Sequence, residues 1–252
     1  MNAAPTQNTP RRAVVPTLVI VVAVVLIVFV VFLQRGTAPS AETPASPANT
    51  APATAETVAP PTGEETAQPD LTAIERRDEN DPLTAGSPDA PVGMVVFSDY
   101  QCGYCAKWSA ETLPTMLEYA ERGDLWIEWR DLNIFDEPSR RAARASYAAG
   151  LQDAFWPYHD QLYPEGKTRS ADQLTDEALI ALAGELQLDT ERFAVDMNAE
   201  DTVAAVAANE ELGRRLGASS TPAFLLGGTP IVGAQPTEVF VEVIETALAN
   251  GA

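Results

Sequence analysis

Two cysteines stand at the junction of two segments with different periodicity. Cys102 and Cys105 are the only cysteines in the 252 residues, and they are three positions apart. Before them, residues 92–98 form a short apolar run that predicts a buried strand, and after them residues 103–122 carry apolar side chains at helical spacing. The first turn of a helix offers free backbone N–H groups and the positive end of the helix dipole, and both stabilise a thiolate. A strand, a Cys-x-x-Cys pair and a helix in this order therefore favour thiol–disulfide exchange.

Three alternative roles for the cysteine pair compete with this hypothesis. A zinc site uses the same spacing, but it needs further ligands, and the only other soft ligand in the sequence is the single histidine, His159. A structural disulfide would close a very short loop and would restrain the unfolded chain little. Two unrelated buried thiols are the third alternative. The redox interpretation predicts Cys102 and Cys105 as catalytic residues, and it requires neither a metal ion nor an organic cofactor.

The apolar run at residues 13–33 is the second constraint on the fold. It contains 21 uncharged residues, and at about 1.5 Å per residue a helix of this length spans roughly 31 Å, enough to cross a bilayer core. The run is longer than the apolar core of a cleavable signal peptide, although cleavage stays the alternative. Two arginines precede it and only Arg35 follows, which predicts a cytoplasmic tail at residues 1–12. We therefore expect a single-pass protein of the cell membrane whose catalytic domain is extracytoplasmic, where disulfides persist.

Composition separates a linker from a folded domain after the apolar run. Residues 36–70 contain nine Ala, seven Pro and seven Thr but no aromatic residue, so this stretch cannot bury enough apolar surface to offset its ordering entropy. We predict a disordered linker over residues 34–80, in which residues 71–80 are a short helix or more linker. One folded domain is predicted over residues 81–252. The formal net charge of −20 excludes nucleic acid as an expected partner.

Periodicity within residues 81–252 predicts an α/β domain that is interrupted by helices. Strands are predicted over residues 92–98, 125–130, 223–226 and 231–233. Helices are predicted over residues 103–122, 139–150, 154–163, 176–187, 190–197, 201–216 and 237–249. Pro114 predicts a kink in the first helix, and Gly227-Gly228 predicts a hairpin between the last two strands. This order of elements indicates one sheet whose two halves are separated by an all-helical insertion at about residues 136–217.

Three stretches of the sequence resemble the DsbA-like branch of the thioredoxin superfamily. They are residues 89–105, which end in Ser-Asp-Tyr-Gln-Cys-Gly-Tyr-Cys, residues 155–160, Phe-Trp-Pro-Tyr-His-Asp, and residues 220–224, Ser-Thr-Pro-Ala-Phe. The resemblance covers roughly residues 83–248 and is greatest to the single-span, extracytoplasmic members of that branch. It implies a thioredoxin-like fold with an inserted all-helical subdomain, preceded here by the transmembrane helix and the linker.

The resemblance implies a role for each residue of the cysteine motif. Cys102 is expected to be the exposed attacking thiol, and Cys105 the buried resolving thiol. Gly103 and Tyr104 are expected to tune the pKa of Cys102 and the reduction potential of the pair. Many members of the branch have Pro-His or Pro-Tyr at these two positions, so this chain departs from the common pattern.

A second loop carries the expected substrate-binding residues, Thr221 and Pro222. The resemblance implies that Pro222 is a cis-proline facing the cysteines, where the backbone of Thr221 can pair with an extended substrate. His159 lies on an aromatic helix of the predicted insertion. We interpret it as a hydrogen-bonded structural histidine rather than a catalytic base.

Together these features predict a membrane-anchored enzyme that carries out thiol–disulfide exchange on exported proteins. In the oxidising direction, the Cys102–Cys105 disulfide takes electrons from client thiols, and a membrane redox partner reoxidises the pair. One alternative is a reductase or isomerase of the same fold, because sequence does not set the direction of exchange. The other alternative is a non-redox, membrane-tethered adaptor that binds peptides beside Pro222.

Overall fold

A five-stranded sheet organises residues 71–251, the part of the chain that the structure, a computed structural model, describes. The strand order is β1-β3-β2-β4-β5, with β2 at the centre, parallel to β3 and antiparallel to β4. The strands are β1 (Thr84–Ala85), β2 (Val92–Ser98), β3 (Leu125–Asp131), β4 (Ala223–Leu226) and β5 (Thr229–Val232). The described residues fall within one unit, Glu65–Ala252.

Helices cover the sheet and fill the long connection between β3 and β4. They are α1 (Gly103–Glu111), α2 (Leu113–Glu121), α3 (Asp136–Gly150), α4 (Phe155–Leu162), α5 (Asp176–Glu185), α6 (Thr190–Met197), α7 (Glu200–Arg215) and α8 (Thr237–Ala249). Short 3-10 turns lie at Leu71–Ile74, Pro164–Gly166 and Ala171–Leu174. Helices α3 to α7 form the insertion, which confirms the predicted α/β fold with an inserted helical subdomain.

The two faces of the sheet pack against different partners. On one face, Val96 and Phe224 lie in a cluster with side chains of α1, α2 and α8, such as Trp108. On the other face, Val95 and Phe97 pack against Leu132 and against side chains of α7 and of the N-terminal 3-10 turn. Because both faces are covered, β2 is buried along its whole length.

The predicted long helix after the cysteines is two helices, because Pro114 interrupts it. The helix α1 ends at Glu111, and α2 begins at Leu113, with Pro114 in its first turn. Proline has no N–H with which to continue the hydrogen-bond ladder of α1, and it fits the first turn of a new helix. The kink that the sequence predicts is therefore a break at Thr112.

The strand β3 lies where its alternating pattern predicts a strand, and both of its faces are buried. Ile127 and Trp129 alternate with Glu128 and Arg130, and the two charged residues are buried as well. Arg130 forms ion pairs with Glu128 at 2.7 Å and with Asp81 at 2.8 Å. The N-terminal segment supplies Asp81 and covers this face, so the charged side chains are compensated inside the protein.

The folded unit begins earlier than the predicted boundary at Asp81. Leu71 and Ile74 pack against the hydrophobic cluster that contains Val95 and Phe97. The guanidinium of Arg77 donates to the backbone carbonyls of Pro88 and Ala90 at 2.8 and 2.6 Å. Residues 71–80 are therefore part of the domain rather than the end of a linker.

The membrane prediction concerns residues that the structure does not describe. The tail at 1–12, the apolar run at 13–33 and most of the linker at 34–80 lie outside residues 71–251. Among residues 71–251, no helix has both the length and the apolar character that crossing a bilayer requires.

Candidate active site

Cys102 is the N-cap of α1, so the chain turns into the helix at the first cysteine. Its backbone is extended, with φ −87° and ψ 116°, and its sulfur accepts a hydrogen bond from the Cys105 N–H at 3.4 Å. The backbone N–H of Cys102 donates to the Asp99 carbonyl at 2.9 Å. Both cysteines are free thiols. The geometry therefore places Cys102 Sγ where the free N–H groups of the first turn converge.

Hydrogen bonds stabilise the thiolate of Cys102. Its pKa is lowered to about 6, chiefly because the Cys105 side chain hydrogen-bonds to it, and the backbone N–H groups of Cys105 and Tyr104 also contribute. Partial burial acts in the opposite direction but is the smaller effect. Cys102 is therefore mostly a thiolate at pH 7, which is the nucleophilic form.

Cys105 has the opposite environment, although it lies one turn further along the same helix. It is 1% exposed, and burial raises its pKa well above that of a free thiol. The hydrogen bond that it gives to Cys102 raises its pKa further, whereas the Ser98 side chain lowers it. Cys105 is therefore a thiol at neutral pH, and it donates to the thiolate of its neighbour.

The expectation of an exposed Cys102 needs correction. The residue is only 5% exposed, because the second predicted loop lies against it. The Cys102 thiol lies 3.3 Å from the Thr221 carbonyl oxygen, which accepts its hydrogen bond when the thiol is protonated. A reacting group therefore has to approach along the edge of this loop.

Thr221 lies beside Cys102 in the structure, although the two residues are 119 positions apart in the sequence, and Pro222 follows it. The Thr221–Pro222 peptide bond is cis, as the resemblance predicts. Pro222 directly precedes β4, and its carbonyl accepts a hydrogen bond from the Gly233 N–H at 2.9 Å. The loop is therefore anchored to both strands of the C-terminal hairpin.

The two residues between the cysteines face outward. Tyr104 is 69% exposed, a fraction that only Val195 equals among the large hydrophobic residues of the described chain. A Cβ built at Gly103 meets no atom within 4 Å. The backbone N–H of Tyr104 acts on Cys102, but the side chain of Tyr104 is free to meet a partner. Tuning by the Tyr104 side chain therefore stays a prediction.

Asp99 is a buried residue that the sequence did not identify as part of the site. Its Oδ1 accepts hydrogen bonds from the Gln101 N–H at 2.7 Å and from the Ser139 hydroxyl at 2.6 Å. Its Oδ2 accepts from the N–H groups of Ile134 and Phe135 at 2.6 and 3.1 Å. Asp99 therefore ties the cysteine loop to the start of α3. An Asp two residues before a free backbone N–H in a turn is a recognisable signal for this role.

His159 has the structural position that the sequence favours. It is fully buried, with Nδ1 3.1 Å from the Tyr100 hydroxyl and Nε2 3.2 Å from the Ser109 hydroxyl. Burial lowers its pKa to about 3, so the ring is neutral at pH 7. Both nitrogens are thus already hydrogen-bonded, which leaves the ring without the free nitrogen that a zinc ligand would use.

Comparison with known proteins places this geometry in context. A family model described as thioredoxin matches residues 78–246, a range that includes both the cysteine motif and the cis-proline loop. A relative from Bacillus cereus, named probable disulfide bond formation protein D, is 26% identical over 148 residues, which cover 57% of this chain and 68% of that protein.

Two solved structures are also similar to this chain. A thioredoxin-like oxidoreductase from Silicibacter pomeroyi is 28% identical with a TM-score of 0.59, and the match covers 68% of this chain and 94% of that one. The oxidised crystal structure of BdbD from Bacillus subtilis has the same TM-score of 0.59 at 24% identity, again over 68% of this chain and 94% of that one. The second likeness concerns the fold alone.

Proposed function

This chain belongs to the thioredoxin family, and from this premise we propose that it oxidises the cysteine thiols of exported proteins through a Cys102–Cys105 disulfide. The relatives identify it as a thiol–disulfide oxidoreductase. The finer assignment concerns the residues that carry the electrons, the direction of transfer and the class of client.

The observation that carries the proposal is the stabilised thiolate of Cys102. Its pKa of about 6 means that the fold favours the reduced, ionised form of this sulfur. A couple whose reduced form is stabilised gives up its disulfide readily, so it acts as an oxidant. A reductase needs the opposite balance, with a disulfide that is stable relative to the dithiol. The environment of Cys102 therefore supports the oxidising direction.

The exchange proceeds in two steps. A client thiolate attacks Cys102 Sγ, a client–Cys102 disulfide forms, and the bond to Cys105 breaks with its electron pair on Cys105 Sγ. A second client thiolate then attacks the sulfur of the first client cysteine. The client disulfide forms, and Cys102 leaves as the thiolate that the N-cap stabilises. Two electrons have moved from the client to the enzyme, and a redox partner must remove them.

The loop at Thr221 supplies the proposed contact with the client backbone. Its carbonyl lies 3.3 Å from Cys102 Sγ, so a segment bound to Cys102 passes directly along this loop. Pairing between Thr221 and an extended client segment gives affinity without demanding a particular sequence. This mode fits an enzyme that acts on many unfolded clients.

The cellular location is part of the proposal. An anchor at residues 13–33 with an extracytoplasmic domain would place the thiols in a compartment where disulfides persist. It would also hold the domain near a membrane partner that reoxidises Cys102 and Cys105. Gly103 and Tyr104 are proposed to tune the potential of the pair from the exposed side of α1.

The test is catalysed oxidation of reduced, unfolded RNase, followed by recovery of RNase activity. We expect the oxidised protein to transfer its disulfide to RNase stoichiometrically, and turnover to continue when a chemical oxidant restores the pair. Cys102→Ser should abolish transfer. Asp172→Asn, a change at an exposed position of the helical insertion, is the control and should keep transfer.

The reductase and the adaptor are distinguished by adding an insulin-reduction assay to the RNase assay. Efficient reduction of insulin with little oxidation of RNase would indicate a reductase. RNase refolding that survives Cys102→Ser would favour a peptide-binding adaptor and would contradict the proposed redox role.

A further inference from the structure

A cavity lies beside the loop that faces the cysteines, between the β3–α3 connection and the end of α7. Its volume is about 540 Å³, within the range of roughly 300–1,000 Å³ that is typical of ligand pockets. The lining includes the apolar residues Leu132 and Ile134 and the polar residues Asn133, Arg140 and Arg214. None of the steps of sulfur exchange involves these residues. We call this space the β3–α7 cavity.

The β3–α7 cavity is bordered by the two segments that position Cys102. Ser219 lines the cavity and lies two residues before Thr221, whose carbonyl oxygen is 3.3 Å from Cys102 Sγ. From the other segment, the N–H of Ile134 donates to the carboxylate of Asp99 at 2.6 Å, and Asp99 is three residues before Cys102. Because an extended chain advances about 3.3 Å per residue, a client bound to Cys102 reaches this cavity within a few residues of its cysteine.

Asn133 is a buried residue of the cavity lining whose side-chain hydrogen-bonding groups are unused. It is 4% exposed, and neither its Nδ2 nor its Oδ1 has a hydrogen-bond partner among residues 71–251. A side-chain amide carries two N–H donors and an accepting oxygen, so its burial without partners is costly. Buried polar groups of native proteins are nearly always paired, and an exception calls for a physical reason. A client group that enters the cavity and pairs with Asn133 provides one.

The charged side chains that line the cavity neutralise each other. Glu210 is 5% exposed and accepts hydrogen bonds from Arg140, at 3.2 Å, and from Arg214. Asp136 also lines the cavity, so two carboxylates balance two guanidinium groups in the lining that residues 71–251 provide. Each guanidinium has five N–H donors, and the ion pairs with Glu210 use only some of them. The cavity therefore favours a neutral, polar ligand over an ion.

The main chain of a polypeptide carries the groups that would satisfy Asn133. A peptide group has a carbonyl oxygen, which can accept from Nδ2, and an N–H, which can donate to Oδ1. A carboxylate only accepts and an ammonium group only donates, so neither can pair with both atoms of the amide. Binding of main-chain groups also places little demand on the sequence that is bound. The chemistry of the cavity therefore matches an extended segment of an unfolded client.

We propose that the β3–α7 cavity binds the main chain of the client segment beside its reacting cysteine. The inference rests on the proposed function, which supplies the client, and it adds a second contact to the one at Thr221. Asn133 pairs with one peptide group, and Arg140 and Arg214 donate to neighbouring carbonyl oxygens. These residues do not touch the reacting sulfurs, so they determine the affinity for a polypeptide and leave the chemistry of exchange to the cysteines.

A binding role and a merely structural role predict different results for Asn133→Leu. Leucine has a similar volume but no polar atom, so this variant removes an unsatisfied amide from the interior of the protein. In either role the free energy of unfolding should stay the same or increase. Only the binding role predicts a loss of affinity for clients. Retained stability with lost affinity would identify Asn133 as a side chain that serves binding.

Single-turnover reduction of the oxidised protein by two different dithiols tests the cavity. One dithiol is a short uncharged peptide with two cysteines, and the other is dithiothreitol, which has no peptide group. Acid quenching and alkylation measure the fraction of protein that has been reduced at each dithiol concentration. Asn133→Leu should raise the half-saturating concentration of the peptide by on the order of 10-fold, because the hydrogen bonds of the amide are lost from the bound state. The maximal rate with the peptide and the rate with dithiothreitol should be unchanged.

Two arginine variants keep the test decisive if Asn133→Leu does not fold. Arg214→Gln removes donors from the cavity and should raise the half-saturating peptide concentration by about threefold. Arg122→Gln is the matched control and should change neither reaction, because Arg122 is similarly exposed and ion-paired but lies before β3 rather than after it.

The outcomes separate this inference from the proposed function. An unchanged half-saturating peptide concentration in Asn133→Leu, or in Arg214→Gln if the first variant does not fold, would overturn the binding role of the cavity. A slower reaction of Asn133→Leu with dithiothreitol would also overturn it, because Asn133 would then support the cysteine loop instead. A wild-type protein that oxidises neither dithiol would overturn the proposed function.

Discussion

The N-cap of α1 and the interior of its first turn act in opposite ways on two identical side chains. At the N-cap, Cys102 accepts hydrogen bonds from a thiol and from backbone N–H groups, and its pKa falls to about 6. One turn later, Cys105 is buried in a cluster with side chains of α3 and α4 and donates to that thiolate, and both effects raise its pKa. Burial and the direction of the hydrogen bonds therefore determine together which sulfur is the nucleophile.

The strand β3 offers a second comparison, between buried side chains that form ion pairs and one that does not. Glu128 and Arg130 are buried but compensated by ion pairs, so removal of one partner would leave the other charge buried and unpaired. Asp131, at the end of the same strand beside the cysteines, keeps one oxygen without a partner among residues 71–251. Equal burial thus has different consequences, depending on whether the charged side chain forms an ion pair.

Serine substitutions at the two cysteines give the largest effect and should differ in kind. Cys102→Ser should lower the rate of RNase oxidation by on the order of 10³-fold or more, because it removes the nucleophile. Cys105→Ser should also lose turnover, but its Cys102 thiolate should attack the disulfide of an oxidised client, releasing one client thiolate. The client–Cys102 mixed disulfide should then accumulate on a non-reducing gel, because no Cys105 thiol displaces the client. Equal trapping of clients by both variants would show that the two sulfurs have equivalent roles.

The raised pKa of Asp131 should be visible in the pH dependence of the free energy of unfolding. Its folded-state pKa is raised from 3.8 to about 7, so the folded protein holds this proton more tightly than the unfolded chain. Stability should therefore fall as pH rises from 4 to 7, by about 4 kcal/mol in total from this group. Asp131→Asn should flatten that part of the curve, as urea unfolding at several pH values would measure. The same slope in the variant would contradict the raised pKa.

Asp99→Asn should weaken the N-cap region without touching the sulfurs. The amide nitrogen of Asn would face backbone N–H donors that now bind a carboxylate oxygen, so the free energy of unfolding should fall by about 2 kcal/mol. The position of Cys102 depends on this loop, so its pKa should also rise. Urea unfolding and thiolate absorbance check the two effects, with Asp172→Asn as the control. No change in either would mean that the loop holds its shape without Asp99.

The rate of alkylation should distinguish the two cysteines of the reduced protein, because only the thiolate form reacts. With a pKa of about 6, the reaction of Cys102 with iodoacetamide should slow about tenfold between pH 7 and pH 5. Cys105 should stay unmodified over this range, because it is buried and protonated. Mass spectrometry after brief labelling identifies the modified residue, and labelling of Cys105 first would reverse the assignment.

Gly103→Ala should have the smallest effect. The position is open, with no atom within 4 Å of a built Cβ, and it is the first residue of α1. Alanine should stabilise the protein by about 0.5 kcal/mol, since it restricts the unfolded chain and favours the helix. Thermal unfolding measures the gain. An accompanying change in the pKa of Cys102 would support a tuning role for Gly103 beyond its backbone.

Much of the fold is predictable because short, strongly patterned segments carry it. The prediction of β2 at 92–98 and of α8 at 237–249 matches the structure, since an uninterrupted β-branched run and an apolar helical stripe are both local signals. Alternation predicts β3 as a strand, but it does not show that Glu128 and Arg130 on its second face are buried. The cover comes from residues 71–82, which are distant in sequence and whose composition predicts mostly linker.

The site is predictable where a motif marks it and not where packing creates it. The Cys102–Cys105 spacing and the Thr221–Pro222 loop are visible in the sequence, and the structure brings them together. In the sequence Asp131 is only the polar end of a strand, and its burial depends on the register of β3 against β2. Register across a parallel sheet is a tertiary property that no local pattern shows.

The reduction potential of the Cys102–Cys105 couple, measured against glutathione buffers at pH 7, tests the central claim most directly. One pKa unit of thiolate stabilisation is worth about 30 mV for a two-electron couple, so a Cys102 pKa of about 6, against about 7 in thioredoxin, should give a potential more oxidising than about −270 mV by about 30 mV or more. A potential near or below about −270 mV would contradict it, because the fold would then favour the disulfide over the dithiol.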